Sequence, residues 1–184
     1  MHAVAEHITK QQKDGVVPTE KLAFDILEKE WNSNAYESKT KEKHDYELAK
    51  TMVQTYLDWT KNNPNTPIDV EKKFKINIGN SPFIGYIDRV EITPDGEYEV
   101  VDFKTGYDYE NKSSIKKDYQ MNIYALGVEH VYGKLPKKAS LFYLKHKKLV
   151  PYEIDKEQVD EIKSLIEENV NSILSEEFEP TPGY

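Results

Sequence analysis

Between Gly85 and Tyr124 the chain sets acidic and basic side chains where strands would otherwise carry Val or Ile. Asp88 stands alone in one apolar run, Asp102 and Lys104 form an Asp-x-Lys at the end of the next, and Gln120 and Tyr124 follow one helical turn apart. Such local rule-breaking tends to mark function. A divalent cation of the magnesium class takes hard oxygen ligands and keeps several waters, so two aspartates converging from neighbouring strands are enough protein to hold it. Lys104 lies two residues after Asp102, so the strand period puts both on one face while Phe103 points into the opposite core. A lysine so placed orients a water or stabilises charge developing on a phosphate oxygen. The plain alternative is a hairpin with solvated charges on its outer face, since Asp and Lys are mostly exposed residues.

The elements that must position these residues are legible around them. Thr93-Pro-Asp-Gly-Glu97 is strong hairpin punctuation, so residues 83–92 and 97–104 are predicted to pair antiparallel and bring Asp88 and Asp102 near one end of the hairpin. A strand from Ile68 precedes it, with Phe74, Ile76 and Ile78 alternating with Lys73, Lys75 and Asn77. Glu71, at the entry to that strand, reads as solvated and is left outside the metal set. Upstream, residues 2–13 read as a helix, Thr19 caps a second helix striped by Leu22, Ala23, Ile26, Leu27 and Trp31, and a third runs from about Lys41 to Lys61. Asn62 to Pro67 breaks it.

Downstream, residues 107–114 form a polar loop, and Ser113 or Ser114 is expected to cap a helix running to about His130. Residues 139–144 and 149–154 read as a second hairpin, with Pro151 suited to an edge strand because it cannot donate a ladder bond. Asp155 opens a final amphipathic helix striped by Val159, Ile162, Leu165, Ile166, Val170, Ile173 and Leu174. The expected fold class is α/β in the mixed α+β sense, a central mixed sheet flanked by helices. The chain reads as one domain over 1–184, with a helical part at about 2–62 and a sheet core at about 68–177.

Three ordered blocks carry a resemblance: Gly85-Tyr-Ile-Asp88-Arg89-Val-Glu91, Val100-Val-Asp102-Phe-Lys104-Thr-Gly106, and Gln120-Met-Asn-Ile-Tyr124-Ala125. They resemble the PD-(D/E)XK nuclease superfamily, specifically the RecB-like nuclease domains fused to UvrD-type and AddAB-type DNA helicases. The resemblance implies a restriction-endonuclease-like core and Mg- or Mn-dependent cleavage of DNA phosphodiesters, with Asp88, Asp102 and Lys104 catalytic. It implies metal ligation by His2, Asp88, Asp102 and the Phe103 backbone carbonyl, and contact of Gln120 and Tyr124 with DNA phosphate or support of Lys104; related nucleases sometimes use an acidic residue near the metals at the point where Glu71 stands, but a strand-entry glutamate is more often solvated. His2 with Glu6 matches the second half of the family's Gly-x-x-x-His-x-x-x-Glu helix motif, which suggests that the sequence begins inside that motif. His44, among the charges of KEKHDYE, is the rival histidine and reads as solvated. Many RecB-like nucleases continue after a Pro-x-Pro-Gly stretch, here Pro180 to Gly183, into cysteines that hold an iron-sulfur cluster; this chain has no cysteine, so no cluster is expected within it.

Composition sets the bounds. A length of 184 residues allows a substantial core. No run approaches a membrane span, and the start shows no secretion signal, so a cytoplasmic setting with no membrane partner is expected. The net charge of −8 argues against a free-standing nucleic-acid binder, because phosphate binding draws on Lys and Arg. It leaves room for a nuclease whose acidic cluster holds metal and whose DNA is delivered by a fused or associated helicase, along local lysines at 112, 116, 117, 137, 138, 145, 147 and 148. The rival is a non-catalytic nucleic-acid-binding or scaffolding domain that keeps the fold; loss of Asp88, Asp102 or Lys104 would favour it, and all three are present. An enzyme of the same fold acting on other phosphates would share the same residues.

Overall fold

The computed structural model describes residues 1–106 and 118–175. Three helices open the chain: α1 (His2–Lys13), α2 (Glu20–Glu30) and α3 (Lys39–Asn62). The Thr19 hydroxyl accepts from the Leu22 N–H and the Ser38 hydroxyl from the Lys41 N–H, each satisfying a donor that the first helical turn leaves unpaired. The Ser38 cap starts α3 two residues ahead of the expected Lys41. Then come β1 (Thr66–Ile78), β2 (Ser81–Ile92), β3 (Tyr98–Lys104), α4 (Tyr119–Tyr132), β4 (Lys138–Tyr143), β5 (Lys148–Glu153) and α5 (Lys156–Leu174).

The sheet order is β1-β2-β3-β4-β5, antiparallel throughout except for β3 and β4, which run parallel. Parallel neighbours need a crossover of a dozen or more residues, and the connection carrying α4 supplies it. The fold is therefore mixed α+β, a five-stranded mixed sheet flanked by helices. Strand alternation feeds two cores. Val100, Leu141 and Val150 pack with Met121 and Val128 of α4 and Ile162 and Ile166 of α5. Val101, Phe103, Phe142 and Leu144 face the other way, onto Val4, Ile8, Leu27, Val53 and Leu57 of the helical layer. Pro151 lies exposed on β5, an edge strand, where its missing N–H breaks no ladder.

Two glycines set how closely α4 approaches the sheet. A Cβ at Gly85 of β2 would lie 2.5 Å from the Phe74 ring, and one at Gly127 of α4 would lie 2.9 Å from it. The Phe74 ring fills the space those two absent side chains leave, edge-on to Tyr124 at 6.3 Å. The start of α4 corrects the sequence reading. Ser113 and Ser114 lie outside the described residues, as does the 107–114 loop, and the helix begins at Tyr119 behind an extended Asp118. The Asp118 carboxylate accepts from the N–H groups of Gln120 and Met121 and so caps the turn that carries Gln120.

Candidate active site

The first turn of α1, the middle of β1 and the middle of β2 meet at three side chains: His2, Glu71 and Asp88. His2 Nδ1 lies 3.5 Å from Asp88 Oδ2 and 3.6 Å from Glu71 Oε1. One potential ligand atom from each of the three falls within 4.8 Å of the other two, and among the described residues this is the one group of such side chains close enough to hold a metal ion. Glu71 and Asp88 face each other between the ladder pairs Val70–Arg89 and Lys72–Ile87. Glu71 adopts φ 47, uncommon for any residue but glycine and costly in a strand. That twist interrupts the ladder at the two carboxylates. Just before it, a register shift between Pro67 and Asp69 places proline at a bulge, where its missing donor is tolerated.

On its other side Asp88 reaches β3. The β2–β3 ladder ends at Arg89–Val101, so Phe103 has no backbone partner on β2, and its N–H donates instead to Asp88 Oδ2 at 2.9 Å. Because a strand residue's N–H and C=O face the same edge, the Phe103 carbonyl is aimed toward Asp88 as well. Asp102 is 2% exposed. Lys104 Nζ meets Asp102 Oδ2 at 2.7 Å, a charge-assisted contact with that buried oxygen. Lys104 also donates to Gln120 Oε1 at 2.8 Å, and Gln120 Nε2 donates to the Tyr124 hydroxyl at 2.8 Å. Gln120 and Tyr124 thus form a relay from α4 to the lysine.

The electrostatics are those of an acidic cluster lacking enough positive charge. Burial, followed by the charge of Asp88, raises the Asp102 carboxyl above its ordinary value, and the same two causes raise Glu71. His2 is raised by its hydrogen bond to Asp88, against the opposing effect of burial. Burial works against the Lys104 ammonium, but its contact with Asp102 outweighs burial and leaves the pKa raised, so this lysine is a cation at neutral pH.

Behind the site a buried polar network fixes α1 to the sheet. Arg89 follows Asp88, is fully buried, and turns into the helical layer. Its Nε donates to Glu91 at 2.5 Å, its Nη1 donates to Thr9, Gln12 and the Tyr56 hydroxyl at 2.8–3.0 Å, and its guanidinium lies over the Trp59 ring at 4.9 Å. Glu91 in turn accepts from the side-chain amides of Asn63 and Asn65, and Asn65 reaches Glu99, which accepts from Ser140. Thr9 and Gln12 belong to the helix that carries His2, so the network holds the histidine's helix against the strand that carries Asp88. A cavity of about 540 Å³ opens beside His2, walled by Trp31, Tyr36, Met52 and Thr105.

The structure thus gathers His2, Asp88, Asp102, Phe103, Lys104, Gln120 and Tyr124 into one neighbourhood, with His44 on α3 outside it. Glu71, set aside as a solvated strand-entry residue, stands inside. The available signal was the acidic residue that related nucleases sometimes place there; the register opposite Asp88 and the positive φ were not legible in the sequence. Among the described residues no helix is long and apolar enough to cross a membrane.

The model of the PD-(D/E)XK nuclease superfamily matches residues 1–184, and the chain belongs to that superfamily. It is also similar to a solved structure described as the crystal structure of SSO0001, at 18% identity and a TM-score of 0.42, over 76% of this chain and 70% of that one. No curated protein matches it.

Proposed function

We propose that this chain is a catalytically competent, metal-dependent DNA nuclease domain that hydrolyses phosphodiester bonds with Mg or Mn. The carrying observation is the convergence of His2, Glu71 and Asp88 within 4.8 Å beside the Asp102–Lys104 pair. The donor set fits a divalent cation: carboxylate oxygens and a backbone carbonyl suit magnesium, and one imidazole tilts the set toward manganese. The Asp102 and Glu71 carboxyls, raised by burial and then by the charge of Asp88, are what a cation would relieve. His2, Glu71, Asp88, Asp102 and the Phe103 carbonyl are the groups that would hold it.

When bound, such a cation supplies Lewis acidity, lowering the pKa of water and neutralising charge on the attacked phosphate. The chain supplies the rest. Lys104, kept protonated by Asp102 and aimed by Gln120, orients a water or stabilises the negative charge that develops on a phosphate oxygen. Tyr124 holds Gln120, and its hydroxyl stays neutral because burial pushes its pKa up. Asp88 ties β2 to β3 through the Phe103 N–H and so keeps both acidic positions in one frame.

The blocks around Asp88, Asp102 and Gln120 support a RecB-like module that serves a fused or associated helicase in DNA repair or recombination, in the cytoplasm, with residues 1–184 as one domain. The excess of 33 acidic over 25 basic residues is consistent with DNA being fed to the site rather than captured by it. The test is cleavage of labelled DNA with Mg or Mn by the wild-type protein and by Asp88→Ala, Asp102→Ala and Lys104→Ala, each checked for folding by circular dichroism. Abolished cleavage in the three folded variants is expected. Undiminished cleavage by Asp102→Ala would sink the assignment.

A further inference from the structure

We infer that the exposed face of the β1–β2 arm is a binding track for an unpaired nucleic-acid strand, running from the hairpin tip to the carboxylates; this rests on the nuclease reading above. Strand alternation builds the track. Phe74, Ile76 and Ile78 turn into the core, so Lys73, Lys75 and Asn77 turn out, and their antiparallel partners Tyr86, Ile84 and Pro82 share that outer face. Two residues further along each strand come Glu71 and Asp88, between the pairs Val70–Arg89 and Lys72–Ile87. The Lys73–Tyr86 rung therefore lies two residues, roughly 7 Å, from the metal-ligand side chains.

The composition of this face is unusual for the chain. Ile84 is 59% and Tyr86 51% exposed, and among the described residues they are the only large apolar side chains on strands that stand out in solvent. A strand face with no burial to gain would ordinarily be polar, and exposed apolar groups gathered together mark a binding surface. The Lys73 ammonium lies over the Tyr86 ring at 5.9 Å, and Lys75 pairs across with Ile84. On a protein of net charge −8, two lysines alternating with an aromatic and an aliphatic platform match one kind of occupant. A single strand offers phosphates to the ammonium groups and bases to the Tyr86 ring and the Ile84 side chain, the combination by which unpaired nucleic acid is held without sequence preference. A duplex keeps its bases stacked on each other and gains nothing from Tyr86. The track ends at the groups proposed to act on the phosphodiester, so a strand lying along it delivers its backbone to them.

The test uses Tyr86→Ser, Ile84→Ser, Lys73→Gln and Lys75→Gln, all on the outer face of the arm, with Lys21→Gln on α2 as control. Fluorescence anisotropy with labelled oligo(dT), oligo(rU) and a DNA duplex, in EDTA so that nothing is cut, reads affinity at several salt concentrations. Tyr86→Ser is expected to weaken single-strand binding roughly five- to hundred-fold, the range for one lost base-stacking platform. Each of Lys73→Gln and Lys75→Gln is expected to reduce the slope of log affinity against log salt by about 0.7, and Lys21→Gln to leave it unchanged. The larger loss with oligo(dT) or with oligo(rU) supports the track and tells which strand it takes. Equal losses on duplex and single strand overturn it, as do unaltered affinities and slopes in all four variants. Mn titration of the same variants closes the remaining route: a parallel loss of Mn binding would place the effect at the carboxylates and overturn the track. If the wild-type protein cuts DNA while the arm variants bind normally, the track alone falls; if it neither binds nor cuts with Mn, the nuclease reading falls too.

Discussion

Replacing Arg89 by methionine is expected to cost more stability than any change at Asp88 or Asp102, although Arg89 lies behind the proposed site. The guanidinium is fully buried and serves four partners through Nε and Nη1, and its removal leaves the Glu91 carboxylate, also fully buried, with only the amides of Asn63 and Asn65. Breaking a buried ion pair from one side costs about 3–5 kcal/mol, because the surviving charge stays desolvated and uncompensated. Against a typical domain stability of about 5–15 kcal/mol that is a large share. With a urea slope of roughly 2 kcal/mol per molar, the unfolding midpoint should fall by roughly 2 M. The double variant Arg89→Met with Glu91→Gln removes the stranded charge while keeping an acceptor for the asparagines, and should recover about 1–2 kcal/mol of the loss. Urea unfolding of both single variants and the double variant measures the cycle. Because Thr9 and Gln12 lose their anchor, Mn affinity should also drop in folded Arg89→Met protein as α1 and His2 loosen. A midpoint shift below about 0.5 M, or a double variant no better than the sum of its parts, would refute the claim that Arg89 and Glu91 are a coupled anchor.

Three further outcomes are expected. Glu71→Gln should weaken Mn binding, measured by calorimetry, by more than the roughly 10- to 100-fold that loss of an outer hydrogen-bond partner costs, and an unchanged affinity would remove Glu71 from the ligand set. In the metal-free protein His2 is raised above its ordinary 6.5, so its proton adds stability that is fully present below that value and lost as pH rises through the raised one. Proton and cation compete for its ring nitrogen, so Mn affinity should climb as pH rises above 6.5 through the raised value, and the climb should flatten in His2→Ala. Gly85→Ala should destabilise the fold by about 1–3 kcal/mol in thermal unfolding, because its methyl group would collide with the Phe74 ring between β2 and α4.

Much of this arrangement was legible in the residues. The Asp95-Gly96 turn and the alternation on either side of it predict the hairpin that holds Asp88 and Asp102, and the Asp-x-Lys spacing predicts the Asp102–Lys104 contact. What stayed hidden depends on distant parts of the chain. Glu71 reads as solvated because its role comes from a register with β2 and a backbone angle that no local pattern encodes. Arg89 stands in the Gly85–Glu91 block with no role assigned to it until α1 and α3 are folded over it, their Thr9, Gln12 and Tyr56 joining Glu91 to offset the cost of its burial. The cap at Asp118 was not singled out because serine and aspartate cap helices equally well, and the sequence offers Ser113 and Ser114 first.

The backbone at Glu71 bears on protein engineering. A glutamate at φ 47 resists its own conformation, whereas glycine would take the same angle at no steric cost and remove one of two mutually repelling carboxylates. A library screened only for heat resistance should therefore enrich Glu71→Gly, and each such winner would be a sturdier protein with a poorer ion site. If the proposed activity holds, screening for endurance and for turnover would pull this one codon in opposite directions, so a thermostable variant of this protein has to be sought with Glu71 held constant.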